Sequence, residues 1–133
     1  MSMQIHSLDG SAILDYPGVT RALLRIYEPG DVSAPVFTAP PFPDSFIDVT
    51  PQSEPPFQVS VADDHASCGM DGLPAQNLRV AVSLRAELPE AASRLILLDL
   101  DSEKYADLPW GVTADQVEAG WRSLDELEDV WPS

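Results

Sequence analysis

Proline constrains this chain more than any other residue type. Seven of its thirteen prolines fall between positions 35 and 56: Pro35, Pro40, Pro41, Pro43, Pro51, Pro55 and Pro56. Because proline lacks an amide donor and fixes φ, this stretch cannot be helical and can supply only short or edge strands. The sequence therefore predicts Pro-rich loops over 35–56, with short strands at 36–38 and 46–50.

Three further segments have the hydrophobic pattern of strands. Residues 57–61 alternate apolar and polar, which is typical of a half-buried strand. Residues 77–88 alternate over a longer stretch, with Arg79 and Arg85 on the predicted solvent side. Residues 94–101 form a continuous apolar run, which predicts a central strand buried on both faces. The short link between the last two predicts antiparallel neighbours, whereas residues 20–28 fit either a strand or a short helix.

The pattern becomes helical near the C-terminus. Thr113 and Gln116 have the spacing of a capping box, and Val117, Trp121 and Leu124 then recur at the spacing of one helix face. Gly120 leaves open whether this segment is one bent helix or two short ones. A chain of 133 residues has the size of one domain. We therefore expect an α+β fold: a single domain over 1–133, in which 1–101 is β-rich, with about five to seven mostly antiparallel strands, and an acidic helical segment at 113–131 packs on one face.

Acidic residues greatly outnumber basic ones. The chain has 22 Asp and Glu against 7 Lys and Arg, a formal charge of −15. This excess disfavours nucleic acids and anionic membranes as partners and favours a basic protein. Cys68 is the single cysteine, which fits a reducing compartment, and neither a signal peptide nor a long apolar span is recognisable. We therefore expect a cytoplasmic protein.

The acidic surplus is greatest in the last quarter of the chain. Residues 99–133 contain ten acids and two bases. We predict a partner-binding surface here, formed by Asp99, Asp101, Glu103, Asp107, Asp125, Glu126, Glu128, Asp129 and Trp131. The alternative is a solvated surface that only keeps the protein soluble.

Chemistry-bearing residues occur without a recognisable catalytic motif. Cys68 with His65 or His6 is a conceivable nucleophile and base. The conceivable metal ligands are Asp99, Asp101, Asp63, Asp64 and His65. A structural zinc site would need about four ligands, and a second cysteine is missing. The glycines do not form a phosphate-binding loop, and no serine has the surroundings of a hydrolase nucleophile. Residues 63–74 read as an exposed loop, so we expect neither an enzyme nor a cofactor.

These observations favour a non-enzymatic, acidic protein-binding module. In its most concrete form it would be an immunity or inhibitor protein that occludes the active site of a basic bacterial toxin or enzyme. The alternatives are an accessory or scaffold domain of a larger assembly and a small metal-dependent enzyme. The sequence does not indicate an oligomeric state.

Overall fold

The described part of the chain is organised around an eight-stranded antiparallel sheet. The computed structural model describes residues 3–8, 14–33, 36–37, 45–62, 65–90 and 94–127. The strands are β1 (Met3–Ser7), β2 (Val36–Phe37), β3 (Ser45–Val49), β4 (Phe57–Val61), β5 (Ser67–Met70), β6 (Leu95–Asp99), β7 (Lys104–Asp107) and β8 (Arg122–Ser123). Their order in the sheet is β2-β3-β4-β5-β1-β6-β7-β8. The helices are α1 (Tyr16–Leu24), α2 (Pro74–Glu87), α3 (Ala114–Ala119) and α4 (Leu124–Leu127).

The first strand lies in the middle of the sheet. β1 pairs in antiparallel register with β5 on one side and with β6 on the other. β5 and β6 are therefore parallel to each other, and the chain connects them by a crossover that contains α2. Such a connection has room for a helix, which a tight hairpin would not have.

The prediction of a strand at 77–88 is wrong, because these residues form most of α2. Helix α2 has Pro74 in its first turn, a position where the missing amide costs nothing. The side chain of Asn77 in α2 bonds to Gly72, which precedes the helix. It accepts from the Gly72 amide at 2.9 Å and donates to the Gly72 carbonyl at 3.0 Å. A Cβ at Gly72 would lie 2.8 Å from Oε1 of Gln76 and 3.0 Å from Oδ1 of Asn77, so a larger residue here would displace these hydrogen-bonded side chains.

The two arginines of this segment do not lie on a solvent-facing strand. Arg85 is only 4% exposed, and its guanidinium donates to the carbonyls of Leu108, Leu88 and Pro89. Arg79 is half-buried and makes an ion pair with Glu54. The prediction that 77–88 and 94–101 are antiparallel neighbours is also wrong, because β6 pairs with β1 and β7 instead.

Strand β6 is buried along its whole length, as its apolar run predicted. Leu95 and Leu97 belong to the large core cluster, which also contains the buried side chains of α1 and α2. Ile96 and Leu98 point to the opposite face and pack with Tyr105 and Leu127 in a small second cluster. We call the first the helix-covered face and the second the distal face.

Helix α1 resolves the ambiguity of residues 20–28. Asp15 caps it by accepting a hydrogen bond from the Gly18 amide at 3.0 Å, and Val19 and Leu23 are fully buried on its inner side. Ser83 of α2 donates to the carbonyl of Ala22 at 2.7 Å. This bond joins the two helices where they cross the sheet.

The C-terminal segment consists of two short helices. The capping box of Thr113 and Gln116 is present at the start of α3, and the helix ends at Gly120. Val117 of α3 joins the large cluster, while Leu127 of α4 joins the small one. The α+β class with C-terminal helical structure is therefore confirmed, and the two helices contact opposite faces of the sheet.

Candidate protein-binding site

The turn between β6 and β7 projects carboxylates from one end of the sheet. Two hydrogen bonds from backbone amides close the turn. The Ser102 amide donates to Oδ1 of Asp99 at 3.3 Å, and the Glu103 amide donates to the carbonyl of Leu100 at 3.4 Å. Asp101 and Glu103 are exposed in it. Glu103 has a φ of +54°, a conformation that costs energy for any residue with a Cβ.

Helix α4 begins beside this turn. The Leu124 amide donates to the carbonyl of Glu103 at 3.0 Å, and the Asp125 amide donates to the Ser123 hydroxyl at 3.3 Å. The first of these bonds attaches the start of α4 to the turn that carries Asp101 and Glu103, and the second caps the helix locally. Its acids Asp125 and Glu126 are exposed.

Helix α3 contributes a further exposed carboxylate at the same end. Glu118 lines a cavity together with Ser102 of the turn. We use the term acidic end for the exposed carboxylates that these contacts bring together: Asp101, Glu103, Glu118, Asp125 and Glu126. Four of them were predicted as partner-binding residues, and Glu118 was not.

Two of the predicted binding residues are engaged within the protein. Asp99 is only 8% exposed and binds the Ser102 amide. Asp107 is half-buried and makes ion pairs with Arg94 at 2.8 Å and Arg122 at 3.5 Å. Hydrogen bonding to Asp107 raises the pKa of Arg94, because it stabilises the charged guanidinium. Asp107 is therefore neutralised within the protein, and Asp99 is recessed below the surface.

The remaining predicted residues, Glu128, Asp129 and Trp131, lie outside the described residues. Two other tryptophans are described. Trp110 is 57% exposed, and Trp121 is half-buried next to the large core cluster. Trp121 also lines the cavity that Glu118 borders.

The ion pairs of the described arginines involve acids elsewhere in the fold. In the described part of the chain, five arginines form ion pairs with only three acids: Arg21 and Arg25 with Glu87, Arg79 with Glu54, and Arg94 and Arg122 with Asp107. None of these acids belongs to the acidic end. Of the ten exposed carboxylates among the described residues, six lie between residues 101 and 126. Exposed carboxylates of the described residues are therefore most numerous between residues 101 and 126.

The structure does not form the cysteine–histidine pair. Cys68 lies in β5, not in an exposed loop, and it is 1% exposed. Burial raises the pKa of its thiol to about 12, so the reactive thiolate is strongly disfavoured. Ile5 is the register partner of Cys68, which places His6 on the opposite face of the sheet. His65 is exposed, whereas Cys68 points into the core.

The conceivable metal ligands do not come together in the described residues. No group of three or more His, Cys, Asp or Glu side chains suited to a metal ion occurs there. Asp63 and Asp64 lie outside the described residues. Asp99 lines a small cavity instead.

The sequence did not predict this cavity, because two of its walls come from α2 and α3. Leu78 and Trp121 line it, with Met3 of β1. Leu78 had been assigned to a strand, so its proximity to the C-terminal helices could not be foreseen. The i, i+4 spacing of Val117 and Trp121 was the available signal that Trp121 faces inward.

Comparison of the chain with protein-family models, with curated proteins and with solved structures finds no match. Among the helices of the described residues, none combines the length and apolar character needed to cross a bilayer.

Proposed function

We propose that this chain is a non-enzymatic, acidic protein-binding module that acts in the cytoplasm. In its most concrete form it is an immunity or inhibitor protein that neutralises a basic bacterial toxin or enzyme by occluding its active site. The observation that carries the proposal is the acidic end, where one turn and two helices bring five exposed carboxylates to the same end of the sheet.

The electrostatics of the acidic end suit rapid capture of a cationic protein. Like charges held on one side of a protein create a potential that steers an oppositely charged partner into the correct orientation. A nuclease or another enzyme that binds polyanions has a cationic cleft, so an acidic surface can compete for it. The acidic end supplies such a surface on elements fixed by backbone hydrogen bonds, including the one from Leu124 to Glu103.

The buried thiol of Cys68 supports the non-enzymatic part of the proposal. Its burial and its raised pKa argue against nucleophilic chemistry at the one cysteine of the chain. The lone cysteine also agrees with the proposed cytoplasmic location, where thiols remain reduced.

The proposal is tested with the purified basic protein encoded by a neighbouring gene, or with a basic protein recovered from the host at low salt and then purified. We expect an equimolar amount of this chain to abolish its activity. The association rate should fall steeply as NaCl is added, because salt screens the steering potential. Reversing Asp125 and Glu126 to lysine should slow association about tenfold at low salt.

A matched variant separates the local surface from net charge. Glu28 and Glu90 are exposed and lie outside the acidic end, so Glu28→Lys with Glu90→Lys makes the same change in net charge. We expect this pair to slow association much less. Equal slowing by both pairs would show that only net charge matters. Binding without loss of the partner's activity would favour the scaffold alternative.

A further inference from the structure

A small cavity lies beside the acidic end, with a buried carboxylate in its wall. Its volume is about 140 Å³. Its apolar walls come from Met3, Leu78 and Trp121. Its charged lining consists of Asp99, Glu118 and Lys104. Strands β1, β6 and β7 and helices α2 and α3 all contribute, so the cavity belongs to the folded framework and not to one loop.

Asp99 gives this cavity its chemical character. The residue is 8% exposed, and of its two carboxylate oxygens only Oδ1 accepts a hydrogen bond from a described residue, the Ser102 amide. A carboxylate can accept about four hydrogen bonds, and the Ser102 amide supplies one of them. Asp99 therefore retains unused acceptor capacity in the cavity wall.

Lys104, the basic residue in the cavity lining, does not form an ion pair with Asp99. Lys104 is its register partner across β6 and β7, yet Lys104 is exposed and makes none of the ion pairs found in the described part of the chain. The charged lining, with Glu118 at the surface, carries two acids and one base. An additional cation is therefore favoured over an anion.

The volume of the cavity restricts the occupant. Pockets for small-molecule ligands typically measure about 300–1,000 Å³. A cavity of about 140 Å³ is too small for such a ligand but large enough for one long side chain. A divalent ion is a poor alternative, because the described residues offer no group of three metal-ligating side chains.

Two exposed apolar residues are sequence neighbours of residues that line the cavity. Leu73, next to Pro74 in the cavity wall, is 52% exposed, and Leu100, next to Asp99, is 47% exposed. Interaction hot spots commonly combine a pocket for one anchoring side chain with apolar contacts around it that exclude water. The surroundings of this cavity match that arrangement.

We propose that this cavity receives one arginine or lysine side chain of the basic partner. The methylene groups of that side chain pack against Met3, Leu78 and Trp121, and its cationic group binds Asp99, with Glu118 contributing at the surface. The acidic end then attracts the partner over a long range, and the cavity fixes the position of the bound partner. This inference rests on the proposed function, because it names the contact by which such a partner would be anchored.

The cavity can be tested without knowing the partner. N-acetyl-arginine amide and N-acetyl-lysine amide are titrated into the isotope-labelled chain, with the uncharged N-acetyl-norleucine amide as the control probe. We expect saturable shifts in the NMR signals of the Trp121 indole N–H and the Met3 methyl group with at least one cationic amide. Equal shifts with the norleucine amide, or shifts confined to the exposed carboxylates, would overturn the proposal.

Variants define the roles of the charged groups. Asp99→Asn should weaken binding of the cationic amide about tenfold or more, because a charged hydrogen-bond acceptor is lost. Glu118→Gln should weaken it less, while Asp115→Asn, on the same helix but outside the cavity lining, should leave it unchanged. Lys104→Gln should tighten binding, since a competing positive charge is removed. Unchanged binding in Asp99→Asn, or weaker binding in Lys104→Gln, would contradict the inference.

The two proposals can fail separately. If reversal of Asp125 and Glu126 slows association with the partner but the cationic amides do not shift Trp121, the acidic end functions without the cavity. If the cationic amides bind at Asp99 but the basic protein retains full activity in the presence of the chain, the cavity is real and the inhibitor function is wrong.

Discussion

The two faces of the sheet differ in how much structure covers them. On the helix-covered face, side chains of six neighbouring strands are buried with those of α1 and α2 in one large cluster. On the distal face, the described cluster contains only four buried residues, and α4 is the helix that contributes to it. Free energy of folding must therefore be concentrated on the helix-covered face, since stabilisation scales with the apolar area removed from water.

This difference separates most of the stability from the exposed charges of the acidic end, while the cavity at Asp99 also uses Met3 and Leu78 of the large cluster. The acidic end is attached through the β6–β7 turn, short α3 and one-turn α4, where only a few side chains are buried. A surface built in this way can change its charges without disturbing the main core. Substitutions on the two faces should accordingly affect stability and partner binding to different extents.

Leu97 and Leu98 provide the most direct test of this comparison. They are neighbours on β6, with the same side chain, and they point to opposite faces. Leu97→Ala should lower the free energy of unfolding by about 4 kcal/mol, because it leaves a cavity in the large cluster. Leu98→Ala should cost about 2 kcal/mol, at the low end of such substitutions, since the small cluster can collapse or admit water. Urea denaturation measures both values.

Equal losses in the two variants would contradict the assignment of most stability to the helix-covered face. A larger loss in Leu98→Ala would reverse it. Retention of partner binding by Leu97→Ala at a temperature where it remains folded would sharpen the separation between core and binding surface.

The sequence predicted strands well where the buried residues are apolar and either alternate simply with polar ones or form a continuous run. Phe57–Val61 and the buried run of β6 were recognised for this reason. Helix α2 was missed because four of its buried positions are polar: Gln76, Asn77, Ser83 and Arg85. Ser83 and Arg85 bond to the distant carbonyls of Ala22 and Leu108, so the sequence shows only the alternating apolar residues between the polar positions.

The candidate site was only partly predictable for a related reason. The surplus of carboxylates is a property of composition and could be read directly. Which of them are exposed depends on tertiary contacts, as Asp107 demonstrates through its pairing with Arg94 and Arg122. The cavity at Asp99 requires α2 and α3 to meet beside β6, which no local pattern specifies.

Glu54 gives a smaller, pH-dependent test on the helix-covered side. Its hydrogen bond and ion pair with Arg79 hold the pKa of its carboxyl below the ordinary value near 4.5. A depressed carboxyl pKa contributes stability above the unfolded-state pKa, and this contribution is lost as the pH falls through the folded-state pKa. Glu54→Gln should therefore reduce stability by about 1 kcal/mol at pH 7.

The difference in free energy of unfolding between Glu54→Gln and the original chain should narrow below about pH 4.5 and vanish at lower pH. Thermal unfolding followed from pH 7 to pH 3 measures it. Glu126→Gln, on the acidic end, is the matched control and should change stability by less than about 0.5 kcal/mol at pH 7. A difference for Glu54→Gln that stays constant across the pH range would show that the ion pair does not contribute.

The smallest expected effect is at Glu103, and it addresses whether the acidic end is retained for function. Its φ of +54° is unfavourable for glutamate and better tolerated by asparagine. Glu103→Asn should therefore raise the free energy of unfolding by about 0.5 kcal/mol, a fraction of the full cost of this conformation. The same variant removes a carboxylate from the acidic end and should slow association with a basic partner. A gain in stability combined with slower association would mean that a costly residue is kept at this turn for its charge. A loss of stability in Glu103→Asn would instead mean that the glutamate side chain supports the fold.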